Sequence, residues 1–112
     1  NRELKYISQV FQALRIEVND EIHSLKVFLD SCADILNKDG RLAIISYHSV
    51  EDKLVKNLIK TGNTEGKQIT DIYGRSKQIF KPVNYKIIVP KEKEILENSR
   101  AKSAKLRIAE KL

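Results

Sequence analysis

The chain is poor in the residues that build redox, metal or membrane sites. Its 112 residues include one cysteine, Cys32, and two histidines, His23 and His48. A single cysteine excludes a disulfide within the chain and favours a reducing compartment. One Cys and two separated His offer no ligand spacing, so no metal site is expected. No apolar run approaches the ~18–20 residues that cross a bilayer, and no charged-then-apolar signal peptide opens the sequence. These absences predict a cytoplasmic chain with no membrane contact. Internal repeats and low-complexity runs are also missing, which argues against a solenoid.

What is present fits an ordinary globular chain of at most one domain, with 41% hydrophobic and 32% charged residues. The net charge of +6 is unevenly spread: residues 75–112 hold 11 of the 21 basic residues but 4 of the 15 acidic ones. The first 74 residues are close to neutral. A basic half joined to a neutral half suits a polyanion such as RNA or DNA. A lysine-rich solvated face accounts for the same composition.

The pivotal stretch is 41–52. Leu42-Ala43-Ile44-Ile45 follows Asp39-Gly40 and empties into Tyr47-His48-Ser49-Val50-Glu51-Asp52. Such a run predicts a strand over 41–47 buried on both faces, as in a parallel α/β sheet. Parallel sheets bind ligands beyond the carboxyl ends of their strands, which is where the polar cluster stands.

The neighbouring segments fit that frame. Leu14, Val18, Ile22, Leu25, Leu29, Ala33 and Leu36 recur at helical spacing, predicting a long helix within 1–37 with a bend near Asn19. Gly40 is available for the left-handed position that closes it. Ser49 reads as the N-cap of a helix over 49–60, with Asp52 in the capping-box place. Residues 61–77 read as a polar, Gly-punctuated loop insertion, and 78–112 as a basic, strand-rich end. Strands are expected at 78–80 and 85–89, with Pro82 marking an edge or bend. Ser103, Ala104, Leu106, Ile108 and their charged neighbours alternate as a terminal strand does, although a basic helix also fits.

Three blocks stand in order. They are Phe11-Gln12-Ala13-Leu14-Arg15-Ile16-Glu17-Val18-Asn19, Gly40-Arg41-Leu42-Ala43-Ile44-Ile45-Ser46-Tyr47-His48-Ser49-Val50-Glu51-Asp52, and Asn98-Ser99-Arg100-Ala101-Lys102-Ser103-Ala104-Lys105-Leu106-Arg107. Together they resemble the C-terminal part of the bacterial MraW (RsmH) family, over nearly the whole chain. Tyr47, Val50, Ser99 and Lys102 replace the family's Phe, Leu, Pro and Arg, and the His-Pro turn usual before Phe11 is missing. Lys102 keeps the charge but loses the two-pronged geometry of an arginine.

The resemblance implies a Rossmann-like class I methyltransferase fold: long helix, buried parallel strand, helix, then edge strands ending in an antiparallel one. It implies an S-adenosylmethionine-dependent enzyme that methylates N4 of a cytosine in small-subunit ribosomal RNA. Family members hold the cofactor on a glycine-rich loop, because only glycine lets backbone approach so closely. No G-x-G occurs here. The chain is therefore expected to be the C-terminal portion of a longer enzyme, with the cofactor bound mainly by the part before it. Alone it should be inactive and should self-associate through exposed strand edges.

Within that frame the catalytic candidates are Tyr47, His48, Glu51 and Asp52. Tyr47 can stack on an extracted base, and His48 can hydrogen-bond it or accept its proton. Glu51 and Asp52 can orient His48 or accept from the amino group. The bland alternatives are a core tyrosine, a bracing histidine and a plain helix cap. Arg15 and Asn19, four apart on one helix face, either meet RNA or form a buried bracing pair. Arg100, Lys102, Lys105 and Arg107 form the densest basic cluster, suited to phosphate. A non-catalytic RNA-binding module with the same fold remnant is the competing reading. A hydrolase using His48 and Ser49 is remote, because neighbours on one turn rarely form a nucleophile–base pair.

Overall fold

A computed structural model describes residues 2–112. Its elements run α1 (Arg2–Ile35), β1 (Arg41–Ser46), α2 (Ser49–Thr61), β2 (Phe80–Pro82), α3 (Glu92–Glu97), a 3₁₀ turn (Ser99–Ser103) and β3 (Lys105–Lys111). The strands form one sheet in the order β1-β3-β2. Both outer strands pair antiparallel with β3, Ile44 opposite Arg107 and Pro82 opposite Ala109. β1 and β2 therefore run in the same direction, joined by a crossover through α2, with β3 reversed between them.

The strand pairing corrects two expectations. Among the described residues β1 pairs only with the antiparallel β3, so no parallel neighbour is present. Nor is β1 buried on both faces. Leu42, Ile44 and Ser46 turn inward, whereas Arg41, Ala43 and Ile45 are exposed. A run of four apolar residues hides this alternation, because the outward Ala43 and Ile45 are as apolar as their inward neighbours. The strand ends at Ser46, one residue before Tyr47.

The core lies between the inner sheet face, α2 and the last turns of α1. Leu29, Leu54, Val55, Leu58, Phe80 and Ala109 are buried together, with Ile22, Leu25, Leu36, Leu42, Ile44 and Ile79 packed around them. Fully burying a Leu or Phe is worth about 1.5–3 kcal/mol, so this cluster sets most of the stability. Phe80 is fully buried at the start of the short edge strand β2. Pro82 sits in that same edge strand, where a missing N–H breaks no inner ladder.

α1 is one uninterrupted helix of 34 residues that runs through Asn19 without a break. At 1.5 Å per residue it is roughly 50 Å long, which accounts for the molecule's 61 Å longest dimension. Only its second half packs: Ile22 and Leu25 are half-buried and Leu29 and Cys32 buried, while residues 2–21 are exposed throughout. Burial among apolar neighbours pushes the Cys32 thiol's pKa up.

The turn that closes α1 also differs from expectation. Asp39, with φ 72°, takes the left-handed position, and not Gly40. Glycine is needed at 40 for a different reason: a Cβ there would lie 2.9 Å from the Asn37 carbonyl oxygen. α2 ends on Gly62, whose φ of 86° lets its N–H donate to the Leu58 carbonyl.

Segment 61–77 is tied down at both ends. Thr64 is buried, and the Asp30 carboxylate of α1 accepts from its backbone N–H and its hydroxyl, each at 2.9 Å. Farther on, Asp71 accepts from the N–H groups of Tyr73 and Arg75, closing a small turn bridged by Thr70 and Ser76. The strand expected at 85–89 is reduced to one bridge between Ile88 and Leu106. Asn84 explains this, because its Oδ1 accepts the Ile108 N–H that a continuing strand would have paired.

Candidate functional site at the carboxyl end of β1

The polar residues after β1 divide into two that brace the fold and two left open to solvent. His48, with φ −123° and ψ 150°, is the N-cap of α2. This displaces the expected Ser49 cap by one position and moves the capping-box acid from Asp52 to Glu51. One Glu51 carboxylate oxygen accepts from the backbone N–H groups of Tyr47 and His48, each at 3.2 Å. Two N–H groups at the mouth of the helix are thereby satisfied, and the acid also complements the helix dipole. Glu51 is thus engaged with backbone and does not orient the His48 ring.

Asp52, freed from capping, turns inward. It is 3% exposed and receives a two-pronged grip from Arg107 of β3, Nε to Oδ1 at 2.6 Å and Nη2 to Oδ2 at 3.1 Å. The Ser46 hydroxyl reaches Oδ1 at 3.4 Å, and the Lys56 ammonium lies 3.7 Å from Oδ2. This cluster joins the end of β1, the first turn of α2 and the middle of β3. Hydrogen bonding by Arg107 holds the Asp52 carboxyl below the usual carboxylate range. Burial pulls the other way, and the nearby charges of Arg107, Lys56 and Lys105 add to the lowering. Asp52 is thus buried and bonded within the fold, tying α2 to β3.

Tyr47 and His48 remain outside. Tyr47 is 49% exposed, and His48, Ser49 and Val50 beside it are exposed as well. Tyr47 is therefore not a core residue. Both side chains stand at the carboxyl end of β1 on a backbone that Glu51 pins, with the Asp52–Arg107 grip just behind it.

The basic candidates are not one cluster. Arg107 is spent on Asp52, with its side chain 17% exposed. Lys105 lies opposite Ser46 and bears on the same carboxylate. Arg100 and Lys102 stand apart in the exposed 3₁₀ turn, where the Asn98 side chain accepts from the Arg100 N–H. Arg15 and Asn19 are both exposed on the unpacked half of α1, so the buried Arg–Asn brace does not exist.

Sequence reasoning passed over a cavity of about 440 Å³ between α2 and β2, lined by Lys56, Lys60, Tyr85 and Arg107 among others. Its one linear signal was the spacing of Lys56 and Lys60, a single helical turn apart.

No glycine frames the carboxyl end of β1. Gly40 lies at the other end of the strand, Gly62 and Gly66 follow α2, and Gly74 lies in the loop beyond. A Cβ at Gly62 would lie 2.5 Å from the Ile79 side chain, so its space is already filled.

The arrangement is that of an α/β chain with a reversed terminal strand and an exposed aromatic–imidazole pair at the strand end. Over residues 1–112 it matches the profile of the MraW methylase family. It is 54% identical, over its whole length, to a Parabacteroides distasonis protein named ribosomal RNA small subunit methyltransferase H, of which it covers 37%. It is 56% identical over 98% of its length to proteins of the same name from Bacteroides thetaiotaomicron and Amoebophilus asiaticus, covering 36% of each. The chain belongs to the MraW methylase family and spans a little over a third of the length of these relatives.

Proposed function

We propose that the chain is the C-terminal, acceptor-side portion of an S-adenosylmethionine-dependent methyltransferase that methylates N4 of a cytosine in small-subunit ribosomal RNA. The observation that carries this is the exposed Tyr47–His48 pair, held on a braced turn at the carboxyl end of β1 in a chain of this family. Membership supports the methyl-transfer class, and the relatives' name supports ribosomal RNA as substrate.

Modifying an exocyclic amine requires that the base be drawn from its stack and its nitrogen aligned. Tyr47 offers a flat face on which an extracted base stacks. His48 hydrogen-bonds the base and takes up the proton that the amine gives up, a role that suits an imidazole at neutral pH. Glu51 and the Asp52–Arg107 grip fix where both side chains start. S-adenosylmethionine is held mainly by the remainder of the protein. Further sheet strands of a Rossmann-like fold would pair with the free edge of β1. The same remainder would cover the exposed Leu4, Ile7, Phe11 and Leu14 of α1, and without it the chain would self-associate.

Calorimetric titration with S-adenosylmethionine tests this on the 112-residue chain and on the full-length protein containing it. The expected result is no binding by the former and binding by the latter, with methyl transfer to small-subunit ribosomal RNA. A full-length protein that neither binds the cofactor nor methylates RNA overturns the catalytic reading and favours a plain RNA-binding module.

A further inference from the structure

The cavity between α2 and β2 brings several cations beside an apolar surface. Arg107, Lys56 and Lys60 line it together with the apolar Ile59 and Pro82 and the ring of Tyr85. A volume of about 440 Å³ lies within the range of small-ligand sites, roughly 300–1,000 Å³. Three cations meet one carboxylate there, since Asp52 answers both Arg107 and Lys56. Lys60 makes no ion pair among the described residues. The cavity therefore carries excess positive charge beside an apolar surface.

Its frame is rigid. Arg107 is clamped by two hydrogen bonds to Asp52. The opposite side hangs on Asn84, which accepts from the Ile108 N–H at 2.8 Å and donates to the Lys86 and Leu106 carbonyls at 2.8 and 3.2 Å. That bonding interrupts the strand and leaves Tyr85 89% exposed at the cavity mouth. An aromatic ring with almost no burial, beside an unpaired lysine and two further cations, suits the way proteins hold single-stranded nucleic acid: stacking for the base, cations for the phosphate. An isolated terminal phosphate would instead call for a glycine-rich loop or a helix N-terminus. Here the cations come from the later turns of α2 and from β3.

We infer that this cavity binds one nucleotide of the RNA substrate, flanking the target base, with its phosphate between Lys56 and Lys60 and its base on Tyr85. The inference rests on the RNA-methyltransferase reading above and extends it to a second contact. Ser49 to Lys60 spans roughly 16 Å of helix at 1.5 Å per residue. The cavity and the Tyr47–His48 pair therefore lie within a few nucleotides of one another along a single strand. It also shifts the main phosphate contact away from Arg100 and Lys102.

The test is fluorescence anisotropy of the full-length protein with a labelled single-stranded RNA of about ten nucleotides. It compares wild type with Lys60→Ala, Tyr85→Ala and, outside the cavity, Lys102→Ala. Lys60→Ala should weaken binding several-fold at low salt and lower the slope of log K against log salt by about 0.7, one phosphate's worth. Tyr85→Ala should weaken binding roughly tenfold without changing that slope. Both substitutions are at exposed positions, and unchanged thermal melts would show that the fold survives. Wild-type binding and slope in both cavity variants, with loss in Lys102→Ala, would overturn the cavity while leaving the RNA reading intact. Displacement of the RNA by poly-glutamate as readily as by unlabelled RNA would make the cavity an acidic-peptide site and also overturn it. No RNA binding by wild-type protein would overturn the RNA reading and the cavity together.

Discussion

Tyr47-His48 and Glu51-Asp52 are neighbours on one turn, yet they are built to opposite specifications. Glu51 bonds two backbone N–H groups and Asp52 is buried under Arg107, while the Tyr47 and His48 side chains are exposed. Four such residues on one turn would all pass for chemistry on paper. The fold uses two of them as a bracket and leaves the other two exposed. Charge and short range favour the acids for bracing, because a carboxylate satisfies helix N–H groups and an arginine fork at once. An aromatic ring and an imidazole cannot, and the same geometry leaves them accessible.

That contrast is best broken from the bracket side first. Asp52→Ala strands Arg107 without a counter-charge at a site where its side chain is 17% exposed. It should cost about 3 kcal/mol in urea unfolding, in the range for breaking a buried pair. Arg107→Lys keeps the charge but loses the fork, and should cost less than Arg107→Ala.

The pH dependence has a definite sign. The folded-state pKa of Asp52 is lowered, so its contribution is present above the unfolded carboxylate value of about 3.9. It is lost as pH falls through the folded value. Urea unfolding repeated from neutral pH downward should show the gap between wild type and Asp52→Asn narrowing below about pH 4. A gap that stays constant would contradict the pairing.

Smaller effects sharpen the same boundary. Asp30→Ala removes both acceptors that hold the buried Thr64 and should cost about 1–2 kcal/mol by the same unfolding measurement. Glu51→Ala removes a capping acid and should cost about 1 kcal/mol. Tyr47→Ala should stay within about 0.5 kcal/mol of wild type, as substitutions at exposed sites do, and His48→Ala, at the N-cap of α2, within about 1 kcal/mol. A large loss from either would move that residue into the bracket.

Much of the fold was legible because burial leaves a period in the sequence. The stripe from Ile22 to Leu36, the 42–45 run, Leu54-Val55-Leu58 on α2 and the alternation around Leu106 all correspond to packed elements. The first half of α1 shows the limit of that signal. Leu4, Ile7, Phe11 and Leu14 keep a helical period with nothing packed against them. A period reports an apolar face and says nothing of what covers it.

Other features depend on where the chain folds back, which local pattern cannot report. Asp52 and Arg107 are 55 residues apart, and Asp30 and Thr64 are 34 apart. Either Asp39 or Gly40 suits a left-handed turn by type, and only the close approach of Asn37 explains the glycine. The cap slipped by one residue because Ser49 is the better N-cap by preference. Glu51, however, sits where it can bond the His48 N–H. The position of these residues at the end of β1 was therefore legible, and their contacts were not.

Methyl transfer by the full-length protein carrying His48→Ala, measured alongside its unfolding free energy, tests the account most directly. Near-wild-type stability should accompany a loss of at least about a hundredfold in transfer rate, the scale of a positioned acid–base group. Wild-type transfer by a well-folded His48→Ala protein would contradict the claim that the exposed pair at the end of β1 faces the acceptor base.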